Sequence, residues 1–256
     1  MILYFSASGN SRFIAETAGE MLQDSCVSLN ERIKNSDFRE IHSETPFVLV
    51  CPVFAWRIPR VVEEALRKIP LTGSSKIYLL VTTCGSSGNT GGYAERFFRP
   101  LGKQWMGWHT FYMPGSYVAF MENPDLAHAR EMNQRAKKQL EALAPMIRRG
   151  EKLAPFRVTR AGKFMSFAAN PLFYRFIIGR PGFHTNEKCE GCGKCSRVCP
   201  LNNISMDGKV PKWGTRCTHC MACVHQCPKA AVEFRKITEG KNRYYNNGNF
   251  QKQADL

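Results

Sequence analysis

The run CEGCGKCSRVCP at residues 189–200 returns in pattern as CTHCMACVHQCP at 217–228. This duplicated spacing, C-x2-C-x2-C-x3-C-P, constrains the chain more than any other feature. Three cysteines in a tight loop can cap three irons of one cubane, and a fourth, past the next turn, reaches across to a second cubane. The spacing therefore assigns Cys189, Cys192, Cys195 and Cys227 to one [4Fe-4S] cluster, and Cys217, Cys220, Cys223 and Cys199 to another. Gly191 and Gly193 keep the backbone slim beside sulfide, and Pro200 and Pro228 stop the turn from continuing. Structural zinc also uses C-x2-C pairs, but it takes two ligands from each of two separated knuckles. It has no use for four cysteines and a proline in one short run, repeated. Eight of the 11 cysteines lie in this segment, which in a reducing compartment means metal rather than disulfides. Cys26 and Cys51 read as buried thiols.

The rest of the chain alternates. Short apolar runs at Ile2–Phe5, Cys26–Leu29, Phe47–Val53, Ile77–Thr82 and Trp108–Met113 read as five strands. Between and after them, helical spacing runs from Ser11, over Val61–Ile69, over Tyr93–Leu101, and over a long amphipathic stretch, Leu126–Arg149. Strands apolar on both faces, alternating with helices, predict a parallel sheet covered on both sides. The fold class is thus α/β, a doubly wound five-stranded parallel sheet over residues 1–150. A small α+β cluster domain is expected over 185–236. Residues 151–184 read as a basic, aromatic linker with one or two short helices, and 237–256 as a loosely held polar tail.

Three loops fall after the first, third and fourth strands, where the carboxyl edge of such a sheet binds ligands. FSASGNSRF offers Ser6, Ser8, Gly9, Asn10 and Ser11 at the start of a helix, a setting for a phosphomonoester. It has no lysine and no G-x-G-x-x-G, so it is neither a Walker A loop nor a dinucleotide fingerprint. CPVFAWRIP offers aromatics to stack on a ring, and TTCGSSGNTGG offers bare backbone for the ring's polar edge.

FSASGNSRFIAE resembles the phosphate loop of flavodoxins. With the cysteine repeat behind it, nearly the whole chain resembles the flavodoxin and ferredoxin fusion family of bacterial and archaeal electron-transfer proteins. The resemblance implies a flavodoxin-like domain binding FMN and a ferredoxin-like domain binding two [4Fe-4S] clusters, with a place in anaerobic metabolism. It further implies that Ser6, Ser8, Gly9, Asn10 and Ser11 hold the FMN phosphate. By the same resemblance Val53, Phe54, Ala55 and Trp56 flank the isoalloxazine, and Thr83, Cys84 and Gly85 border its other side. No catalytic residue is assigned: electron carrier and oxidoreductase both remain open. The expected role is to pass electrons between FMN and the clusters, and to or from a partner redox protein. A small-molecule reductase fed by the clusters and a redox-sensing interaction protein are the alternatives.

Charge separates the family's usual acidity from this chain. The formal net charge is +15, of which residues 151–256 carry +11. Positive charge of this kind steers acidic carriers such as a ferredoxin, a flavodoxin or a larger reductase. No motif for specific nucleic-acid recognition accompanies it. Arg57 and Arg60 are expected to raise the flavin potential. His184, His219 and His225 are expected to be solvated. The linker could lie on an anionic membrane surface, but its interspersed charges favour packing between the domains. With no signal-peptide pattern at MILYFSASGN and no apolar run of membrane length, the expected location is cytoplasmic.

Overall fold

Every residue of Phe47–Pro52 is buried, as a strand covered on both faces must be. A computed structural model describes residues 1–178, 181–248 and the backbone of 251–252. In it this strand, β3, is central to a sheet of β1 (Ile2–Tyr4), β2 (Cys26–Ser28), β3, β4 (Lys76–Thr83) and β5 (Gln104–Tyr112). All neighbours are parallel and the order is β2-β1-β3-β4-β5. That 2-1-3-4-5 order is the flavodoxin-like winding, with its switch point between β1 and β3.

Side-chain alternation along the strands divides the core. Leu3, Phe47, Leu49, Leu79 and Val81 pack on one face against Val62 and Leu66 of α2 (Arg60–Lys68) and Phe98 of α3 (Thr90–Phe98). Ile2, Val48, Val50, Tyr78 and Leu80 pack on the other against Ile14 of α1 (Asn10–Leu22) and Leu140 of α4 (Leu126–Arg148). Beside the main sheet, Ile41–Ser43 and Leu71–Gly73 form a two-stranded parallel pair too short for the sequence pattern to register. Cys51 is buried, but Cys26 is exposed, because β2 is an edge strand.

The cluster unit has its own core, built on Val224, Ala231, Val232 and Phe234, to which Val118 and Ala119 of the α/β unit contribute. Phe183–Thr185 pairs with Val232–Phe234, and Ile204–Asp207 with Val210–Trp213, both antiparallel. The repeat is visible in the backbone. Gly191 and Gly193 adopt φ of 68° and 70°, and their counterparts His219 and Met221 take 53° and 63° without glycine's freedom.

One expectation is sharpened and one is corrected. The linker contains one continuous helical stretch, Arg160–Phe164, Met165–Ala169 and Asn170–Phe176, whose middle segment is π-helical. The tail is not loosely held where it is described: Tyr244 and Asn246 are buried, and the Asn246 N–H donates to the Ser8 carbonyl. Residues 249–250 and 253–256 of the tail lie outside the described residues. No helix among the described residues is long and apolar enough to cross a membrane.

Candidate functional site

The loops after β3 and β4 face each other across a cavity of about 450 Å³, within the range that small-molecule and cofactor pockets occupy. Val53, Phe54, Ala55 and Trp56 line one side and Thr83, Cys84 and Gly85 the other, with Asn10 entering from the first loop. Seven of the residues so placed are those the sequence brought forward for the ring. Tyr117, Phe120 and Met121 add to the wall, and no pattern in the sequence marks them.

The aromatic loop is held in a costly conformation. Phe54 and Arg57 exchange backbone hydrogen bonds of 2.9 and 3.2 Å around Ala55 and Trp56, both at positive φ (45° and 64°). Left-handed backbone at a residue with a Cβ costs about 1–2 kcal/mol. The π-helical turn supplies the restraint. Asn170 Nδ2 donates to the Ala55 carbonyl at 2.9 Å, and the Ser166 hydroxyl is shared between the carbonyls of Trp56 (2.9 Å) and Gly162 (3.0 Å). The same hydroxyl accepts the Asn89 N–H at 2.7 Å, tying the β4 loop to the β3 loop. Ser166 and Asn170 are buried within an otherwise basic and aromatic helix. That polar pair, four residues apart, was the only sign of them in the sequence.

Arg57 and Arg60 do not line the cavity. Arg57 donates to the Ser166 carbonyl and lies 3.6 Å from the centre of the Tyr93 ring, and Arg60 sits 4.0 Å from that of Tyr174. Their guanidinium groups are engaged behind the loop, which removes the basis for a direct effect on a bound ring.

Of the first loop, only Asn10 reaches the cavity. Ser6 pairs through its backbone with the Asn30 amide (2.8 Å each way), Ser11 bonds Thr82 at 2.8 Å, and Ser8 meets the Tyr244 hydroxyl. Gly9, at φ 92°, caps α1 without any side-chain cap bond, so the helix presents bare amides there. The tail lies over this turn. Tyr244 also donates to the Pro114 carbonyl at 2.8 Å, and Asn246 Nδ2 contacts Asn10 and Asn133 at 3.2 and 2.9 Å.

The cysteines fall into two groups around two separate cavities. Cys189, Cys192, Cys195 and Cys227 line one, and Cys199, Cys217, Cys220 and Cys223 the other, so the fourth cysteine of each repeat stands with the other repeat's three. Among the described residues no three His, Cys, Asp or Glu side chains converge closely enough for a single ion. Backbone N–H groups of Asn203, His219 and Ala231 approach Cys199, Cys217 and Cys227 sulfur at 3.2–3.3 Å, the kind of bond that tunes a cluster. Burial pushes the Cys217 thiol up to about 11 and Cys220 up to about 12, and Cys223 well above its ordinary value. Thiolates so placed need cationic iron between them, and this donor set fits it.

A profile of the 4Fe-4S dicluster domain matches residues 182–228. The chain joins a flavodoxin-like domain to a 4Fe-4S dicluster domain. Pyruvate synthase subunit PorD of Thermotoga maritima is 38% identical over 64 residues, 24% of this chain and 64% of that one. An uncharacterized protein of Methanocaldococcus jannaschii, MJ0749, is 32% identical over 72 residues, 28% of each chain. The chain thus spans less than two thirds of either relative's length. Among solved structures, a two-electron reduced flavodoxin from Megasphaera elsdenii aligns over 54% of this chain and 99% of its own, with 18% identity and a TM-score of 0.33. The identification of the N-terminal fold rests on the strand order. Electron transfer is the chemistry that a dicluster domain provides.

The two sites share a wall. Thr218, His219 and Cys220 line the 450 Å³ cavity, and Thr218 and Cys220 also line the second cysteine cavity. His219 packs edge-on against Phe183 and Phe234, and its Nδ1 lies 3.2 Å from the Tyr117 hydroxyl. His219 and His225 are buried, unlike the exposed His184 and contrary to the expectation of solvated rings. Each is fixed by the seam between the domains: His225 Nε2 lies 2.7 Å from the Ser116 carbonyl.

Proposed function

We propose that the chain passes electrons between FMN in the 450 Å³ cavity and two [4Fe-4S] clusters held by the two cysteine sets, and exchanges them with an acidic partner redox protein. The shared wall at Thr218, His219 and Cys220 carries this reading, because it sets the second-repeat cysteines directly beside the flavodoxin-like loops. FMN supplies storage for two electrons and each cluster a one-electron carrier. Val53 to Trp56 and Thr83 to Gly85 would flank the ring and Asn10 would reach its ribityl side; a phosphate would meet Ser8, Gly9 and Ser11 once Tyr244 and Asn246 move off the turn they cover.

The first-repeat cysteines do not line the shared cavity, and Cys192 among them is exposed. Lys194 and Lys229, the latter paired with Glu190, border the separate cavity of Cys189, Cys192, Cys195 and Cys227, with Lys188, Arg197 and Lys209 on adjoining segments. This cationic rim supports an order of FMN, second-repeat cluster, first-repeat cluster, acidic partner.

Anaerobic stopped-flow mixing of the cofactor-loaded protein with a reduced acidic ferredoxin tests it, with flavin and cluster absorbance followed separately. Cluster absorbance should bleach before flavin absorbance, and the bimolecular rate should fall roughly tenfold or more from 50 to 500 mM salt. Protein that takes up no FMN, or whose two chromophores change without exchanging electrons, would sink the reading. The exposed rim residues Phe120 and Met121 favour a second use, reduction of an apolar small molecule over the ring, which steady-state quinone reduction would reveal.

A further inference from the structure

The helical stretch that braces the flavin loops turns an unusual side outward. Gly162, Ser166 and Asn170 face inward at four-residue intervals and are buried. On the outer side stand Phe164 (64% exposed), Phe167 (71%), Leu172 (54%) and Phe176 (50%), interspersed with exposed Arg160, Lys163 and Arg175. A water-soluble chain scatters single apolar residues over its surface. Four large ones within one helical stretch, each at least half exposed, mark an interaction surface.

The charge around the stripe has one sign. Residues 152–186 contain six Lys and Arg and no Asp or Glu. A second copy of the chain would bring like charge against like. The stripe offers phenyl, leucyl and cationic groups, with no acidic side chain to pair with a basic partner. Aromatic and aliphatic side chains that reach the acyl boundary, flanked by cations for phosphate headgroups, are the elements of a helix lying in a membrane interface. We propose that the outer face of Arg160–Phe176 docks the protein on an anionic lipid surface. The cationic rim beside the first-repeat cysteines belongs to other segments and stays available to a soluble partner.

Flotation of the cofactor-loaded protein with vesicles tests this. It should float with phosphatidylcholine vesicles containing phosphatidylglycerol, float far less with phosphatidylcholine alone, and be released by 0.5 M salt. A triple variant, Phe164→Ser, Phe167→Ser and Phe176→Ser, should bind anionic vesicles ~1000-fold more weakly, roughly tenfold for each phenyl withdrawn. Unchanged cofactor absorbance and iron content establish that the variant is folded. Should it fail to fold, Arg160→Gln, Lys163→Gln and Arg175→Gln should abolish the preference for anionic over neutral vesicles. The proposal is overturned if the triple variant binds anionic vesicles as its parent does. It is equally overturned if the parent is a lipid-free dimer that the triple variant dissociates, or if the triple variant loses an acidic ferredoxin while keeping vesicle binding.

Discussion

Ser166→Ala tests whether the bridging helix holds the flavin loops in shape. The hydroxyl receives the Asn89 N–H at 2.7 Å and is shared between the carbonyls of Trp56 and Gly162, in a position with no exposure. Truncation leaves the Asn89 N–H facing a methyl group, which costs about 1–3 kcal/mol, and removes a donor from Trp56 worth about 1 kcal/mol more. The turn it restrains holds two left-handed residues at about 1–2 kcal/mol each. The loss is thus as large as the strain, and the Phe54–Arg57 turn should relax in the unliganded protein. FMN must then restore the shape when it binds. If about 1.4–2.8 kcal/mol of the loss falls on that step, affinity drops 10- to 100-fold. Titration of apoflavin protein with FMN, read by quenching of flavin fluorescence, measures this directly. Phe167→Ser, one residue along and exposed, should leave affinity within twofold of the parent. An unchanged FMN affinity in Ser166→Ala, with Tm lowered, would refute the reasoning: Ser166 would then support the fold and not the site.

Gly9→Ala should release the tail, since a Cβ there would lie 2.1 Å from the Asn246 carbonyl oxygen on a backbone already at φ 92°; chymotrypsin should cut after Tyr244 or Tyr245 at least ~10-fold faster. Cys227→Ser should halve iron from about eight to about four per chain. Its residual cluster spectrum should match that of Cys189→Ser and not that of Cys217→Ser; the opposite pairing would refute the crossed assignment. Burial holds His109 below the ordinary histidine range. The unfolded chain therefore takes up its proton near pH ~6.5 while the folded ring still refuses it, so the contribution is complete above that pH and shrinks as pH falls. Tm should decline from pH 7.5 to 5.5, and His109→Gln should show a smaller decline; equal slopes would refute it.

The parts of this molecule legible in the sequence are those fixed by a repeating constraint. Two-sided burial forced β3 and β4 to be apolar throughout, and the winding followed from the alternation. Cubane geometry forced the cysteine spacing, so the crossed grouping of Cys199 and Cys227 could be written down from it. What stayed hidden are single polar side chains bonded to distant backbone. Ser166 and Asn170 serve carbonyls more than 100 positions away, and Asn246, through its backbone N–H, serves the Ser8 carbonyl from the far end of the chain. A carbonyl belongs to every residue, so such a bond leaves no complementary mark on its partner. Tyr244 and Asn246 lay in a polar run that pattern assigns to solvent, yet they are buried because the loop beneath them presents unfilled donors and acceptors.

The same kind of bond makes the two domains one device. Lys34 Nζ donates to the carbonyls of Ser196 and Cys199 and to Asn202 Oδ1, while Asn202 Nδ2 returns a bond of 2.7 Å to the Lys34 carbonyl. Gln226, beside Cys227, reaches the Ala7 carbonyl in the loop after β1, and His225 reaches Ser116. These contacts anchor the cluster domain through both cysteine repeats, and each lands on a loop or helix end of the flavodoxin-like unit. A flexible linker would let the cavity and the second-repeat cysteines meet only by collision, and the exchange between them would vary with every excursion. Polar bonds to backbone fix the approach without demanding a large apolar interface, so the dicluster domain keeps its own small core and its exposed cationic rim. The seam accordingly does for electron transfer what the π-helical turn does for the flavin loops. It holds a geometry that neither module specifies by itself.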